Sequence, residues 1–218
     1  MGRASALCGV ILAAGESSRM GRDKALLPWP PQPAGSVAAG TFLSAAIARF
    51  DPFVDMVLVV VGKNERDVAP IVYAAGASVV VNPDPERGQF SSLQAGLQEV
   101  LNRGRDAAMI TLVDRPPVKP ATIQLLSEAF DQAQLHSKWA VVPECQGKHG
   151  HPILAGRELL EAFLRAPASS SAREIEHAHL DEIIYVPVDD PEVIANVDTP
   201  EQYAALPVIP LHPNQILP

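Results

Sequence analysis

The 218-residue chain contains only two cysteines, Cys8 and Cys145. Each lies beside an apolar run, and neither belongs to a C-x-x-C pattern, which argues against a disulfide framework and against a zinc knuckle. We interpret both as small buried thiols. The apolar stretch at residues 7–14 is too short to span a membrane and lacks the layout of a signal peptide. We therefore expect no membrane partner and, by default, a cytoplasmic protein.

Aromatic residues and positive charge are also scarce. Phe, Trp and Tyr make up 5% of the chain, so the core must be built mainly from Ala, Val, Leu and Ile, as suits parallel strands covered on both faces. The formal net charge of −8 argues against a nucleic-acid partner, because such binding depends on surplus Lys and Arg. A few local cations can still hold one nucleotide.

The length and the 47% hydrophobic content suit one sizeable core. We predict a single domain over residues 1–206. Residues 207–218 carry four prolines and are predicted to form an extended tail, because proline interrupts helices and central strands.

Apolar runs alternate with amphipathic segments along most of the chain, which predicts βαβ units. The fold class expected from this alternation is α/β: a three-layer α/β/α, Rossmann-like arrangement with a mostly parallel sheet. Strands are predicted at 9–13, 56–61, 78–81, 107–113, 139–143 and 183–186. Helices are predicted at 41–50, 65–75, 91–102, 120–134, 158–164 and 200–206.

The first apolar run leads into a turn that contains glycines and two cations. Residues 12–24 read L-A-A-G-E-S-S-R-M-G-R-D-K, with Arg19 and Lys24 as the cations. Glycines let backbone N–H groups approach phosphate oxygens, and we expect a helix start after the turn to add its positive dipole end. The alternative is a solvated loop whose cations have no ligand.

This segment resembles the signature L-A-A/G-G-x-S-x-R-M-G-x-x-K of the MobA-like or MocA-type nucleotidyltransferases, which are related to the molybdenum cofactor enzymes. The resemblance implies that Arg19 and Lys24 are catalytic and bind the triphosphate. The other nucleotide-binding residues that it implies in this segment are Leu12, Ala13, Ala14, Gly15 and Ser17.

Two acidic residues are candidates for a Mg²⁺ site. Asp114 closes an apolar strand in T-L-V-D-R-P-P, at the edge of the sheet where ligands bind; the alternative is an Asp that caps a turn. This segment resembles the family motif L-V-D-Q-P, with Arg115 in place of Gln, and the family gives Asp114 a catalytic role. N-V-D-T-P-E resembles the family motif D-I-D-T-P-E-D, which implies that Asp198 is the second metal ligand and leaves Asn196 where the family has Asp.

Residues 82–96 form a loop that enters a helix. In the resembled family this segment borders the base and ribose, which implies that Asn82, Gly88, Ser91 and Ser92 bind the nucleotide. An ordinary serine cap would explain Ser91 equally well.

The segment G-K-H-G-H-P at 147–152 contains two histidines but lacks a third ligand for a transition metal at sensible spacing. It resembles the G-x-R-G-H-P motif of the molybdenum cofactor cytidylyltransferases, which faces the acceptor. We therefore expect Lys148, Gly150 and His151 to contact an anionic acceptor, with Gly150 required by a turn. Arg173 aligns with a family turn whose glycines are absent here and is a further candidate for the acceptor phosphate.

The resemblance implies a Mg²⁺-dependent transfer of a nucleotidyl group from an NTP to a phosphorylated acceptor, with release of pyrophosphate. Ala14 stands where guanylyl members have glycine, and its methyl favours CTP, with molybdopterin as the acceptor. The alternatives are a guanylyl or sugar-phosphate nucleotidyltransferase, or a molybdenum cofactor chaperone of low turnover. A molybdoenzyme partner is a further expectation, and the residues leave monomer and homodimer open.

Overall fold

The computed structural model describes residues 6–31, 40–167 and 169–207. The strands in these ranges are β1 (Leu7–Leu12), β2 (Pro28–Trp29), β3 (Gly40–Thr41), β4 (Met56–Val61), β5 (Ser78–Val81), β6 (Ala107–Leu112), β7 (Ala140–Cys145), β8 (Lys148–His149), β9 (Ile153–Gly156) and β10 (Ile183–Pro187). The α-helices are α1 (Phe42–Phe50), α2 (Glu65–Ala74), α3 (Gln89–Asn102), α4 (Pro120–Leu135), α5 (Arg157–Arg165), α6 (Ala172–Ala178) and α7 (Pro200–Ala204).

The central sheet has the strand order β10-β7-β9-β6-β1-β4-β5, and β8 pairs with β7. The pairs β1·β4, β1·β6, β4·β5 and β7·β10 are parallel, whereas β9 runs antiparallel to both of its neighbours. The expected mostly parallel sheet is confirmed. Strand β9 follows the polar segment at 144–151, where the alternation of strands and helices is interrupted.

Alternate residues of β1 supply two cores on opposite faces of the sheet, because successive side chains of a strand point to opposite sides. Ile11 lies in the core beneath α1, α2 and α4, and Val10 lies in the core beneath α3 and α5. This is the three-layer α/β/α arrangement. At Gly96 of α3 an added Cβ would lie 2.8 Å from Val60 and 2.9 Å from Val10, so only glycine allows this close packing of helix on sheet.

The sequence prediction missed α6 as well as β9. Helix α6 begins after Ser171, whose side chain accepts from the Glu174 N–H while Glu174 accepts from the Ser171 N–H. This reciprocal cap starts α6 directly after the serine-rich stretch. Thr199 caps α7 in the same reciprocal way, since its hydroxyl accepts from the Gln202 N–H.

Both thiols are buried and free, as predicted, and burial raises the pKa of Cys8 to about 12. None of the helices in the described ranges is long and apolar enough to cross a membrane. The single-domain boundary at 206 remains a prediction, and residues 208–218 of the tail lie outside the described residues.

The winding of the sheet reverses between β1 and β6. From β1 the chain continues to β4 and β5 on one side, and β6 then pairs on the other side of β1. In open α/β sheets, ligands bind beyond the carboxyl ends of the strands at such a reversal. The turn after β1 and Asp114 after β6 meet there.

Candidate nucleotidyl transfer site

A cavity of about 540 Å³ lies at this reversal point. The turn after β1 forms one wall, the segment before α3 forms another, and the carboxylates Asp114 and Asp198 form part of the rim. The predicted residues that line the cavity are Leu12, Ala14, Gly15, Ser17, Arg19, Lys24, Gly88, Ser92, Asp114 and Asp198. Residues distant in sequence are thus brought together in one site.

The turn between β1 and Lys24 is held by its own backbone. Ser17 has φ +51°, and its carbonyl accepts from the N–H groups of Met20 and Gly21, while its hydroxyl accepts from the Lys24 N–H at 3.1 Å. Only a three-residue 3-10 turn, Lys24–Leu26, follows. The expected helix start with its dipole was therefore wrong, which leaves backbone N–H groups and cations as the groups of this turn that could meet a phosphate.

Asn64, which the sequence prediction missed, anchors this turn from behind. Its side-chain amide donates to the Ala13 carbonyl at 2.8 Å and to Asp23 at 2.6 Å, and its carbonyl oxygen accepts from the Gly62 N–H. Ala13 is buried and does not line the cavity. Its predicted nucleotide contact stays a prediction, and its carbonyl helps to position the turn.

Lys24 lies between the two predicted metal ligands. Its Nζ is 3.1 Å from Asp114 Oδ2 and 2.5 Å from Asp198 Oδ1, and Arg19 is 3.0 Å from the same Asp198 oxygen. Asn196 donates to the other Asp198 oxygen at 2.6 Å. The hydrogen bond from Lys24, together with the charges of Lys24 and Arg19, lowers the pKa of Asp198 against the opposing effect of its partial burial.

The carboxylates fit a hard cation. Asp114 Oδ1 is buried and has no hydrogen-bond partner among the described residues, which leaves a carboxylate oxygen available at the site. Mg²⁺ prefers oxygen ligands and is commonly held by one or two carboxylates together with substrate phosphates. No group of three or more His, Cys, Asp and Glu side chains is gathered for a metal within the described ranges.

The loop before α3 places Ser92 in the cavity and leaves its neighbours behind it. Asn82 is buried and donates to Ser91 Oγ at 2.9 Å and to Ser92 Oγ at 3.0 Å, while Ser91 donates to the Gly88 carbonyl at 2.8 Å. Neither Asn82 nor Ser91 lines the cavity. Their predicted nucleotide contacts stay predictions, and their hydrogen bonds fix the loop, whose turn at Gly88 has φ +92°. Gln89, which the sequence prediction missed, lines the cavity beside them.

A second cavity of about 1090 Å³ adjoins the first. The two share Leu12, Gly88, Gln89 and Leu112 as lining residues. All four predicted acceptor residues line the second cavity: Lys148, Gly150, His151 and Arg173.

Two of these residues differ in detail from expectation. An added Cβ at Gly150 would lie 2.2 Å from the Val193 carbonyl oxygen, so close packing against this backbone requires glycine. The φ of Gly150 is not positive, so a left-handed turn is not the reason. Burial, with a smaller effect of the Arg115 charge, lowers the pKa of His151 to about 3. His151 is therefore neutral, and it can meet an anion only as a hydrogen-bond donor.

Arg115, which stands where the family motif has Gln, links the segment that carries Asp114 to the segment that leads to Asp198. It donates to the Ala195 carbonyl at 3.1 Å and to the Val193 carbonyl at 3.4 Å. Burial lowers its pKa, and the charges of Asp114 and Asp198 oppose that shift. The guanidinium therefore ties the end of β6 to the segment that leads to Asp198.

The family model for the MobA-like NTP transferase domain matches residues 9–183. The chain belongs to this family of nucleotidyltransferases. Two curated relatives of the MobA-like chain have similar lengths. The molybdenum cofactor cytidylyltransferase of Escherichia coli K12 is 26% identical over 91% of this chain and 94% of that protein. The molybdenum cofactor guanylyltransferase of Xanthomonas euvesicatoria pv. vesicatoria is 28% identical over 91% of this chain and 93% of that protein.

Solved structures share this fold. Rv0371c from Mycobacterium tuberculosis H37Rv is 26% identical, with a TM-score of 0.76 over 94% of this chain and 98% of that chain. A structure of Rv0371c in complex with manganese is 23% identical in its alignment, with a TM-score of 0.70 over 92% of this chain and 97% of that chain. The predicted three-layer, mostly parallel fold is confirmed by these neighbours.

Proposed function

We propose that this MobA-like protein transfers CMP from CTP to the phosphate of molybdopterin in a Mg²⁺-dependent reaction and releases pyrophosphate. The observation that carries the proposal is the charged cluster of Lys24, Arg19, Asp114 and Asp198 in one cavity, next to a second cavity with cations of its own. A triphosphate in the first and a phosphorylated acceptor in the second would meet at their shared wall.

Each group has a definable task in such a reaction. Mg²⁺ held by Asp114 and Asp198 would neutralise charge on the phosphates. Arg19 and Lys24 supply further positive charge, and the N–H groups of the turn after β1 orient the phosphate oxygens. An acceptor phosphate oxygen forms the new bond to the α-phosphorus while the α–β bridging P–O bond breaks, and pyrophosphate leaves with that electron pair. The protein supplies position and electrostatic stabilisation, with no covalent intermediate.

The choice of CTP rests on Ala14. Ala14 lines the first cavity, and a methyl at this position would leave less space for a base than glycine would. A pyrimidine suits a narrower site than a purine does. One of the two curated relatives is named a cytidylyltransferase and the other a guanylyltransferase. The assay described below must therefore distinguish transfer of CMP from transfer of GMP.

Asn196 favours an enzyme over a chaperone of low turnover. Its amide donates to Asp198, so the change from Asp to Asn leaves the carboxylate of Asp198 in place and orients it. The site retains both carboxylates that Mg²⁺ would need.

The deciding experiment is a pyrophosphate-release assay with Mg²⁺ and molybdopterin, run separately with CTP, GTP, UTP and ATP. We expect release to be fastest with CTP and to fall at least about 100-fold in Asp114→Asn. Asp131→Asn, at an exposed position of α4, is the matched control and should retain full activity. Faster release with GTP would overturn the base assignment, and no release with any NTP would overturn the enzyme assignment.

A further inference from the structure

The second cavity contains a carboxyl group that the transfer reaction does not use. Glu176 of α6 lines this cavity with the cations Arg173 and Lys148, over a floor of apolar residues from the sheet and α3. A carboxylate would repel the acceptor phosphate at this end of the cavity. Its presence among cations therefore indicates a different ligand group, one that donates hydrogen bonds.

The environment of Glu176 makes it a strong potential acceptor. Burial raises the pKa of Glu176 to about 7, with Arg173 opposing the shift. Among the described residues none donates a hydrogen bond to its side chain. A desolvated carboxylate without a hydrogen-bond donor lowers the stability of the free protein. A ligand that donates N–H groups to both carboxylate oxygens would offset this cost.

An aromatic pair stands close to this carboxyl. The rings of His149 and Tyr185 are stacked, with centroids 3.8 Å apart and planes inclined by 13°, and both residues line the cavity. Glu176 lines the same cavity, and its charge adds to the effect of burial in raising the pKa of Tyr185. Flat aromatic surfaces bind planar heterocycles by stacking.

We propose that Glu176 and the His149–Tyr185 pair form a subsite for a planar heterocycle of the pterin class. In this subsite the Glu176 carboxylate accepts hydrogen bonds from a ring N–H and from the adjacent exocyclic amino group. The proposal deepens the proposed function, on which it rests. It assigns the ring end of the acceptor to α6, β8 and β10 and leaves the phosphate end to the wall shared by the two cavities.

The test compares two fluorescent ligands, pterin and lumazine. Lumazine has a carbonyl where pterin has its exocyclic amino group, so it cannot donate two adjacent hydrogen bonds to one carboxylate. The full chain is titrated into each ligand at pH 7.5, and binding is followed by fluorescence anisotropy. We expect the wild-type protein to bind pterin about tenfold or more tightly than lumazine.

Glu176→Gln replaces one acceptor oxygen by an amide donor. This variant should bind pterin about tenfold more weakly and should lose or reverse the preference for pterin over lumazine. Glu65→Gln, at an exposed position in the first turn of α2, is the control and should retain the wild-type ratio. Equal binding of both ligands by wild type, absence of pterin binding, or an unchanged preference in Glu176→Gln would each overturn the subsite.

The failure of this proposal can be distinguished from failure of the proposed function. Cytidylyl transfer to molybdopterin with no pterin preference would retain the function and remove the subsite. A pterin preference that depends on Glu176, without pyrophosphate release from any NTP, would retain the subsite and remove the transfer reaction.

Discussion

Lys24 Nζ lies 2.5 Å from Asp198 Oδ1, although the two residues are 174 positions apart in the chain. The same ammonium group contacts Asp114, so one cation spaces the two carboxylates that we assign to Mg²⁺. A partly buried cluster of this kind is sensitive to the loss of Lys24, because removing its charge leaves both carboxylates without that partner.

Lys24→Met should therefore abolish most nucleotidyl transfer. We expect kcat/KM for the NTP to fall at least about 100-fold, because the variant loses a phosphate-binding cation and leaves the two carboxylates without the ammonium between them. Pyrophosphate release measures this effect. Lys138→Met, whose ammonium group donates to the Asp181 carbonyl away from both cavities, should retain wild-type rates. Equal losses in both variants would contradict the assignment.

Ala14→Gly tests how the base is selected. Removal of the methyl should raise kcat/KM for GTP relative to CTP by about tenfold, because one methyl group in a pocket is worth about 1–3 kcal/mol of discrimination. The measurement is the ratio of the two kcat/KM values in the variant and in the wild type. An unchanged ratio would show that other residues select the base.

The sequence predicted the fold well where the hydrophobic pattern is regular. Strands β4 and β5 were predicted with the bounds that the structure has, because a short, continuous run of valines favours a strand, both in the buried β4 and in the partly exposed edge strand β5. Strand β9 was missed because its four residues follow a polar, glycine-containing segment and pair with β6 and β7 only through tertiary contacts.

The sequence could identify site residues that lie in a recognisable motif. It could say less about residues that hold another site residue in place. Asp114 and Lys24, which their motifs single out, line the same cavity and contact each other. Asn82 lies in a motif but contacts two serines, and Asn64 and Glu176 lie in no motif, so their partners become visible only in the folded chain.

Gly150→Ala should destabilise the protein. The added methyl would meet the Val193 carbonyl oxygen at 2.2 Å, and that oxygen also accepts from the His151 N–H. Because the clash is with backbone, the segment must move, and we expect a loss of at least about 2 kcal/mol in the free energy of unfolding. Urea unfolding measures this loss. Gly15→Ala, where an added Cβ meets nothing within 4 Å, should change stability by less than about 0.5 kcal/mol.

Glu176→Gln should make the free protein more stable above neutral pH. Burial raises the pKa of Glu176 from 4.5 to about 7, so the native state binds this proton more tightly than the unfolded chain does. The contribution of Glu176 to stability then falls as pH rises from about 4.5 to about 7, and the full cost is present above that range. One pKa unit corresponds to about 1.4 kcal/mol, and partial exposure reduces the effect, so we expect Glu176→Gln to gain roughly 1–2 kcal/mol at pH 8 and little at pH 4.

Urea unfolding of wild type and Glu176→Gln across this pH range measures the difference, with Glu65→Gln as the control that should follow the wild type. A gain that is equal at pH 4 and pH 8 would mean that the carboxyl is not held in its protonated form by burial. A gain confined to the higher pH, together with weaker pterin binding, would mean that Glu176 stabilises a bound ligand at the expense of the free protein, as is common for residues in binding sites.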